Sequence, residues 1–275
     1  MIGLERQRRL LQHLRAHGTG NVADLARSLD VSPSTVRRDL ADLQRQGLLT
    51  RVHGGAAVAD GELEAGLSAR TLFRGAEKRL IGEAAAARVF DGSTVLITGG
   101  TTTLAMLPHL AEREGLTVIT NGLGIAWHLS RYPNISVVVL GGVLRHHELS
   151  LLGPLALQTL ADFQIDEAFT GAFAVDPSSG LSGADVSEVT TDRSMLSSAR
   201  ALTVLADSSK FQQRGPVRLA RVDQIGCLIT DAGADEASVR GLQAAGVNVI
   251  VCDPTTQRSP QADLVPAHTN HQQTR

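Results

Sequence analysis

The chain has 275 residues, 43% of them hydrophobic and 20% charged, with two cysteines and a formal net charge of −2. Such a length suits about two domains and buries a sizeable core, and this composition excludes a chain that is mostly disordered. No run approaches the roughly 18 apolar residues of a membrane span, and no apolar stretch of a signal peptide comes after the arginines near the start, so a cytoplasmic protein without membrane attachment is expected.

Residues 4–17 repeat apolar positions at Leu4, Leu10, Leu11 and Leu14 and stop at Gly18, which predicts an amphipathic helix with a glycine end. A short helix fits VADLARSL, 22–29. In DVSPSTVRRDLADLQRQG, Ser32 is placed to cap a third helix, Pro33 takes its first position and Gly47 ends it. Three short helices with a tight turn before the third predict a helix-turn-helix, and LLTRVHGGAAV has the extended segments of a β-wing. At about 100° per residue, Val36, Leu40 and Leu43 share one face of the third helix, whereas Ser34, Arg37, Arg38, Ala41 and Arg45 share the other. Residues 1–58 hold nine arginines against five acids, and the remainder holds 17 basic against 23 acidic residues, so only the N-terminal part carries the sign for nucleic acid. A charged helix face alone is ordinarily just solvated. Here cap, turn, wing and local charge agree, and the DNA-binding set is Ser32, Ser34, Thr35, Arg37, Arg38, Arg45, Arg51 and His53.

The stretch from 59 to 66 is small and acidic without periodicity, and 59–75 reads as a linker between a DNA-binding domain at 1–58 and a second domain at 76–254. Residues 76–89 predict a helix. Apolar runs at 94–98, 116–120, 135–140, 167–175, 201–206, 225–230 and 247–252 then alternate with helical patterns, which predicts a Rossmann-like α/β domain with a parallel sheet. Ligands of such sheets sit beyond the carboxyl ends of the strands. Gly99, Gly100, Thr101, Thr102 and Thr103 come after the first strand, Thr120 and Asn121 after the second, Gly141 and Gly142 after the third, and Asp207 to Lys210 after a later one. Each alone is an ordinary turn. Together they offer N–H and O–H donors for an anion, an amide for polyol oxygens and a lysine point charge, and a helix starting after TVLITGGTTT would add its positive end. Only Lys78 and Lys210 among 26 basic residues are lysine, which marks them out, because arginine could have supplied mere surface charge. Neither stands directly after a glycine, and no G-x-G-x-x-G succeeds the first strand, so P-loop and dinucleotide readings lose their support. Cys227 and Cys252 lie in apolar runs as expected of buried free thiols, and His146, His147, His268 and His271 are expected in solvent. Neither a metal nor a cofactor is expected. The tail at 255–275, rich in Thr, Gln, Pro and His, is expected to be disordered.

VSPSTVRRDLADLQRQGLLTRVHGGA resembles the winged helix-turn-helix of the DeoR-type bacterial transcriptional regulators. VLITGGTTTLA, VITNGLGIA, VVLGGVL, IDEAFTGAFAVD, GLS and VLADSSKF resemble successive blocks of that family's effector domain, so the likeness spans about residues 4–252. It implies a repressor of carbohydrate catabolism whose C-terminal domain, similar in fold to ribose 5-phosphate isomerase, senses a phosphorylated sugar and releases operator DNA. Asp166 of IDEAF joins the effector set, and a homo-oligomer, dimer or tetramer, is expected from paired half-sites. Thr98 and Gly99 stand where the family usually has Asp-Ser, and Ala174 where it usually has glycine, which alters the pocket entrance. Two other functions compete. A sugar-phosphate isomerase could draw a base from Asp166, Glu167 or Glu188, but GLSGADVSEVT lacks a lysine to act as electrophile. A DNA-binding scaffold without effector would show no thermal response to sugar phosphates.

Overall fold

The computed structural model describes residues 3–17, 19–45, 48–52, 55–58, 70–71 and 73–253. The expectations for Gly18, Gly47, His53, linker residues 59–69, His268, His271 and the tail at 255–275 lie outside the described residues.

The N-terminal part runs α1 (Gly3–His17), β1 (Thr19–Asn21), α2 (Val22–Leu29), α3 (Pro33–Arg45), β2 (Leu49–Val52) and β3 (Gly55–Val58). The three helices and the β2–β3 wing match the pattern of the sequence, while β1 is an addition that pairs antiparallel with β3 in the order β1-β3-β2. Leu10, Leu14, Leu25, Val36, Leu40 and Leu43 are fully buried in one core. Asn21 caps α2 by accepting from the Asp24 N–H at 2.9 Å, and Ser32 Oγ accepts from the Thr35 N–H at 3.2 Å. Asp39 is buried on α3, where the Arg6 guanidinium of α1 meets both its oxygens at 2.5 and 3.1 Å. That two-point pair fixes the roll of α3 on α1, because a lone carboxylate there would be costly.

After α4 (Gly75–Ala86) comes a seven-stranded sheet in the order β15-β14-β12-β9-β4-β5-β6. Its strands are β4 (Thr94–Ile97), β5 (Thr117–Thr120), β6 (Ser136–Val139), β9 (Ile165–Gly171), β12 (Ala199–Leu205), β14 (Cys227–Asp231) and β15 (Asn248–Cys252), and all six pairings are parallel. The inner strands are buried on both faces, which is why runs such as TVLI and TVIT are apolar and β-branched, whereas the edge strands β6 and β15 leave Val139 and Val251 exposed. From the central β4 the chain steps outward to β5 and β6, then returns to pair β9 on the other side of β4. The direction of winding therefore reverses between β4 and β9, the place where the loops diverge and leave a crevice.

The apolar run at 167–175 divides, β9 ending at Gly171 and β10 (Ala174–Asp176) starting a separate antiparallel sheet with β11 (Gly180–Gly183) and β13 (Val217–Ala220). A hairpin of β7 (Val143–Arg145) and β8 (Ser150–Leu152) is likewise additional. Helices α5 (Thr101–Leu104), α6 (Leu123–Leu129), α7 (Pro154–Leu160), α8 (Val186–Leu196) and α9 (Glu236–Ala244) complete the domain. Phe73, read from sequence as linker, is instead buried in the core of the N-terminal helices. No helix among the described residues is long and apolar enough to cross a membrane.

Candidate functional site

A cleft of about 150 Å³ opens at the carboxyl ends of β4 and β9, where the winding reverses. Thr98 and Thr170, the residues at those two strand ends, join their hydroxyls at 2.9 Å across its base. Gly99, Gly100, Thr101 and Thr102 line one side, together with Lys210 from the 3₁₀ turn Ser208–Gln212. Asp207 caps that turn, accepting from the Ser209 N–H at 3.1 Å, and so presents Lys210. Helix α5 is a single four-residue turn, so the expected dipole is slight and the donors that matter are individual N–H and O–H groups.

Three of the other sequence candidates support this loop from behind and do not line the cleft. Thr103 is fully buried and donates to the Thr98 carbonyl at 2.9 Å. Thr120 donates to the Ile97 carbonyl at 2.6 Å and accepts from the Gly122 N–H at 3.0 Å. Asn121 accepts from the Gly99 N–H at 3.2 Å. The two loops approach so closely that a Cβ on Gly122 would sit 2.8 Å from the Gly99 Cα. Gly141 and Gly142 also lie off the cleft. Gly142 has φ +148°, and a Cβ there would collide with the Leu152 carbonyl, so it serves the entry to the β7–β8 hairpin. Asp166 is misassigned by the sequence reading. It stands at the amino end of β9, accepting from the Thr94 N–H at 2.9 Å with Arg200 nearby, and a strand's two ends cannot share one crevice.

Sequence reasoning missed the far side and the floor. Lys78 of α4 is buried against the cleft and donates to the Arg70 carbonyl at 2.8 Å; its rarity as a lysine was the signal available. Arg145 of β7 and Glu188 of α8 form an ion pair, as do Arg70 and Glu148, and all four line the cleft. Asp192 lies one turn after Glu188, on the same face of α8, an i,i+4 spacing that sequence alone displays. Burial, then the Glu188 charge, pushes the Asp192 carboxyl up to about 7, with Glu148 adding and Arg145 opposing. Burial raises Glu188 as well. Of the carboxylates an isomerase would need, only Glu188 reaches the cleft, since Glu167 is taken by Arg88 and Thr203.

On the DNA side, Ser34, Arg37 and Arg38 are exposed on α3 opposite the buried Val36, Leu40 and Leu43. Ser32 Oγ lies 2.7 Å from Ser34 Oγ and 2.8 Å from Thr35 Oγ1, so Ser32 organises the helix start. Arg45 pairs with Asp42, and Arg51 lies on β2 of the wing. His146 and His147 are exposed, and no cluster among the described residues suits a metal ion.

The model of the DeoR-like helix-turn-helix domain matches residues 6–62, and that of the DeoR C-terminal sensor domain matches residues 74–232. The HTH-type transcriptional repressor CsqR of Escherichia coli is 36% identical over 91% of this chain and 96% of its own. The transcriptional repressor AccR of Agrobacterium fabrum is 33% identical over 83% and 90%, and the glycerol-3-phosphate regulon repressor of Escherichia coli 28% over 83% and 90%. Among solved structures, ribose 5-phosphate isomerase A of Methanocaldococcus jannaschii is 20% identical, with a TM-score of 0.37 over 49% of this chain and 53% of that one. The relatives are DNA-binding repressors, which points away from an enzyme. With a DeoR-like helix-turn-helix domain matched at one end, a DeoR sensor domain at the other and relatives that span both, the chain belongs to the DeoR family of helix-turn-helix transcriptional regulators.

Proposed function

We propose that this regulator represses an operon of carbohydrate catabolism and leaves its operator when a phosphorylated sugar enters the cleft. The observation that carries the reading is the loop Gly99–Thr102 beside Lys210 at the switch point of the sheet, a donor set for a phosphate, in a chain that also bears the exposed Arg37 and Arg38. Lys78, from α4, adds a second cation to the same side. A relative named for the glycerol-3-phosphate regulon is consistent with a phosphorylated polyol as signal. Paired operator half-sites call for two reading helices, so the working form is a homo-oligomer, dimer or tetramer.

Mobility shift of labelled operator provides the test. A folded Arg37→Ala, Arg38→Ala double variant should lose operator affinity, each base-reading arginine contributing about 1–3 kcal/mol, and wild-type binding should fall steeply with salt. Unchanged shift by the variant removes the reading helix from the proposal. In parallel, sugar phosphates should raise the melting temperature while their parent sugars do not, because a neutral hydroxyl leaves the anion donors unsatisfied. No response to any phosphate would favour a scaffold that senses nothing.

A further inference from the structure

The cleft has two walls of different chemistry. One is built by α4, the loop after β4 and the turn at Lys210, and it holds the two lysines, Lys78 and Lys210. The other is built by the β7–β8 hairpin and α8, and it holds Glu148, Glu188 and Asp192. The walls meet through Arg70, which pairs with Glu148 of one while its carbonyl accepts from Lys78 of the other. Two of the three carboxylates are matched, Glu148 by Arg70 and Glu188 by Arg145. Asp192 has no such partner among the described residues, so it leaves its wall with an unbalanced acceptor facing the cleft.

Resting on the proposed function, we infer that Asp192, backed by Glu188, is a specificity residue that restricts the effector to a phosphate monoester whose other end is a neutral polyol or an amine. The phosphate takes the lysine wall. Hydroxyl or ammonium protons at the opposite end donate to the Asp192 carboxylate, which has acceptor capacity to spare. A second anion at that end, as in a sugar bisphosphate or a phosphorylated sugar acid, would meet a carboxylate of like charge that has no ion-pair partner among the described residues. Recognition thus works by exclusion as much as by attraction.

Calorimetry at pH 8 with four small probes tests this on the intact protein: inorganic phosphate, glycerol 3-phosphate, phosphoethanolamine and 3-phosphoglycerate. Glycerol 3-phosphate and phosphoethanolamine should bind at least as well as phosphate, and 3-phosphoglycerate about tenfold more weakly than glycerol 3-phosphate, the two differing in a hydroxymethyl against a carboxylate. Asp192→Asn should shrink that ratio to about threefold or less, strengthening 3-phosphoglycerate more than it strengthens inorganic phosphate. Glu188→Gln, which frees Arg145, should shrink it further by drawing the carboxylate in. Equal binding of 3-phosphoglycerate and glycerol 3-phosphate by the wild type, or a ratio untouched in both variants, overturns the inference while phosphate binding still upholds the anion site. If phosphate itself does not bind, both the inference and the proposed effector fall.

Discussion

Asp192 illustrates how a sensing residue carries a cost in stability. Its carboxyl sits at about 7 in the folded chain, against an ordinary aspartate value of 3.8, because burial and the neighbouring Glu188 and Glu148 oppose its charge more than Arg145 supports it. The folded state therefore holds a proton that the unfolded chain has already released between those two values. Stability from this group is full below the unfolded value and is lost as pH rises to about 7, the reverse of an ordinary salt-bridged aspartate. Asp192→Asn removes the penalty, so the variant should be more stable than the parent at pH 8 by about 1–3 kcal/mol, discounted for the water that reaches a half-buried group. Thermal melts at pH 8 and pH 4.5 check it: the gap should close at the lower pH. A gap of the same size at both would mean that the gain comes from packing. Lys210 is the counterpart on the other wall, and Lys210→Ala should weaken binding of any phosphate probe without altering operator affinity, because no part of the reading helix depends on it.

Between the two domains, Arg70, Phe73 and Arg74 make contacts to both sides. Phe73 is buried in the N-terminal core and also borders the cleft. Arg70 is held by Glu148 of the far wall, its carbonyl accepts from Lys78, and its Nε is buried with no hydrogen-bond partner. Arg74 takes the left-handed conformation at φ 50° and anchors on Ser208 at 2.8 Å, two residues from Lys210. An anion arriving at the cleft would compete with Glu148 for Arg70, three residues before the Phe73 that packs in the core carrying α3. Arg70→Ala should accordingly bind operator, still bind phosphate probes and respond to them weakly, so that effector no longer changes the mobility shift; a full response in this variant places the coupling elsewhere. The segment also shows where sequence stops being informative. The seven sheet strands are legible because each is a short apolar, β-branched run, buried on both faces in the inner strands, and α1 to α3 because caps and periodicity agree. Strands of three residues such as β1, β7 and β10 leave no such signature, since their pairing is decided by distant partners. In the site, the loop directly after β4 and Lys210 can be found from sequence, because each stands just past the carboxyl end of an apolar run. Lys78 is marked only by its rarity and Asp192 only by its spacing from Glu188, and neither they nor Arg145 can be placed at the site from sequence, as they arrive from a helix, another helix and a hairpin that only the tertiary fold brings to one crevice. Asp166 misleads for a related reason: the run containing it is legible, but it lies at the amino end of that run, away from the crevice.

At the level of the whole molecule the two chemistries are parts of one equilibrium or of none. The exposed face of α3 proposed to read DNA and the cleft share no residue; Phe73, buried in the core that holds α3, also lines the cleft. If the operator-bound and effector-bound forms are two states of that arrangement, a sugar phosphate must weaken operator binding by the same factor that operator weakens sugar-phosphate binding. Couplings of about 1–3 kcal/mol correspond to a change of roughly 5–150-fold in operator affinity at saturating effector. Separable variants make this testable. Lys210→Ala should bind operator normally and ignore the effector, Arg37→Ala should lose operator and keep effector affinity, and Arg70→Ala should keep both affinities and lose the coupling between them, both factors falling toward one. Titrating labelled operator with and without the sugar phosphate, and the sugar phosphate with and without operator, yields two factors whose equality is required. A tightening of operator binding would make the ligand a co-repressor and leave the linkage intact. Unequal factors would mean that a further equilibrium intervenes, with subunit association the first to examine, because paired half-sites select for an assembled state that the effector can also shift.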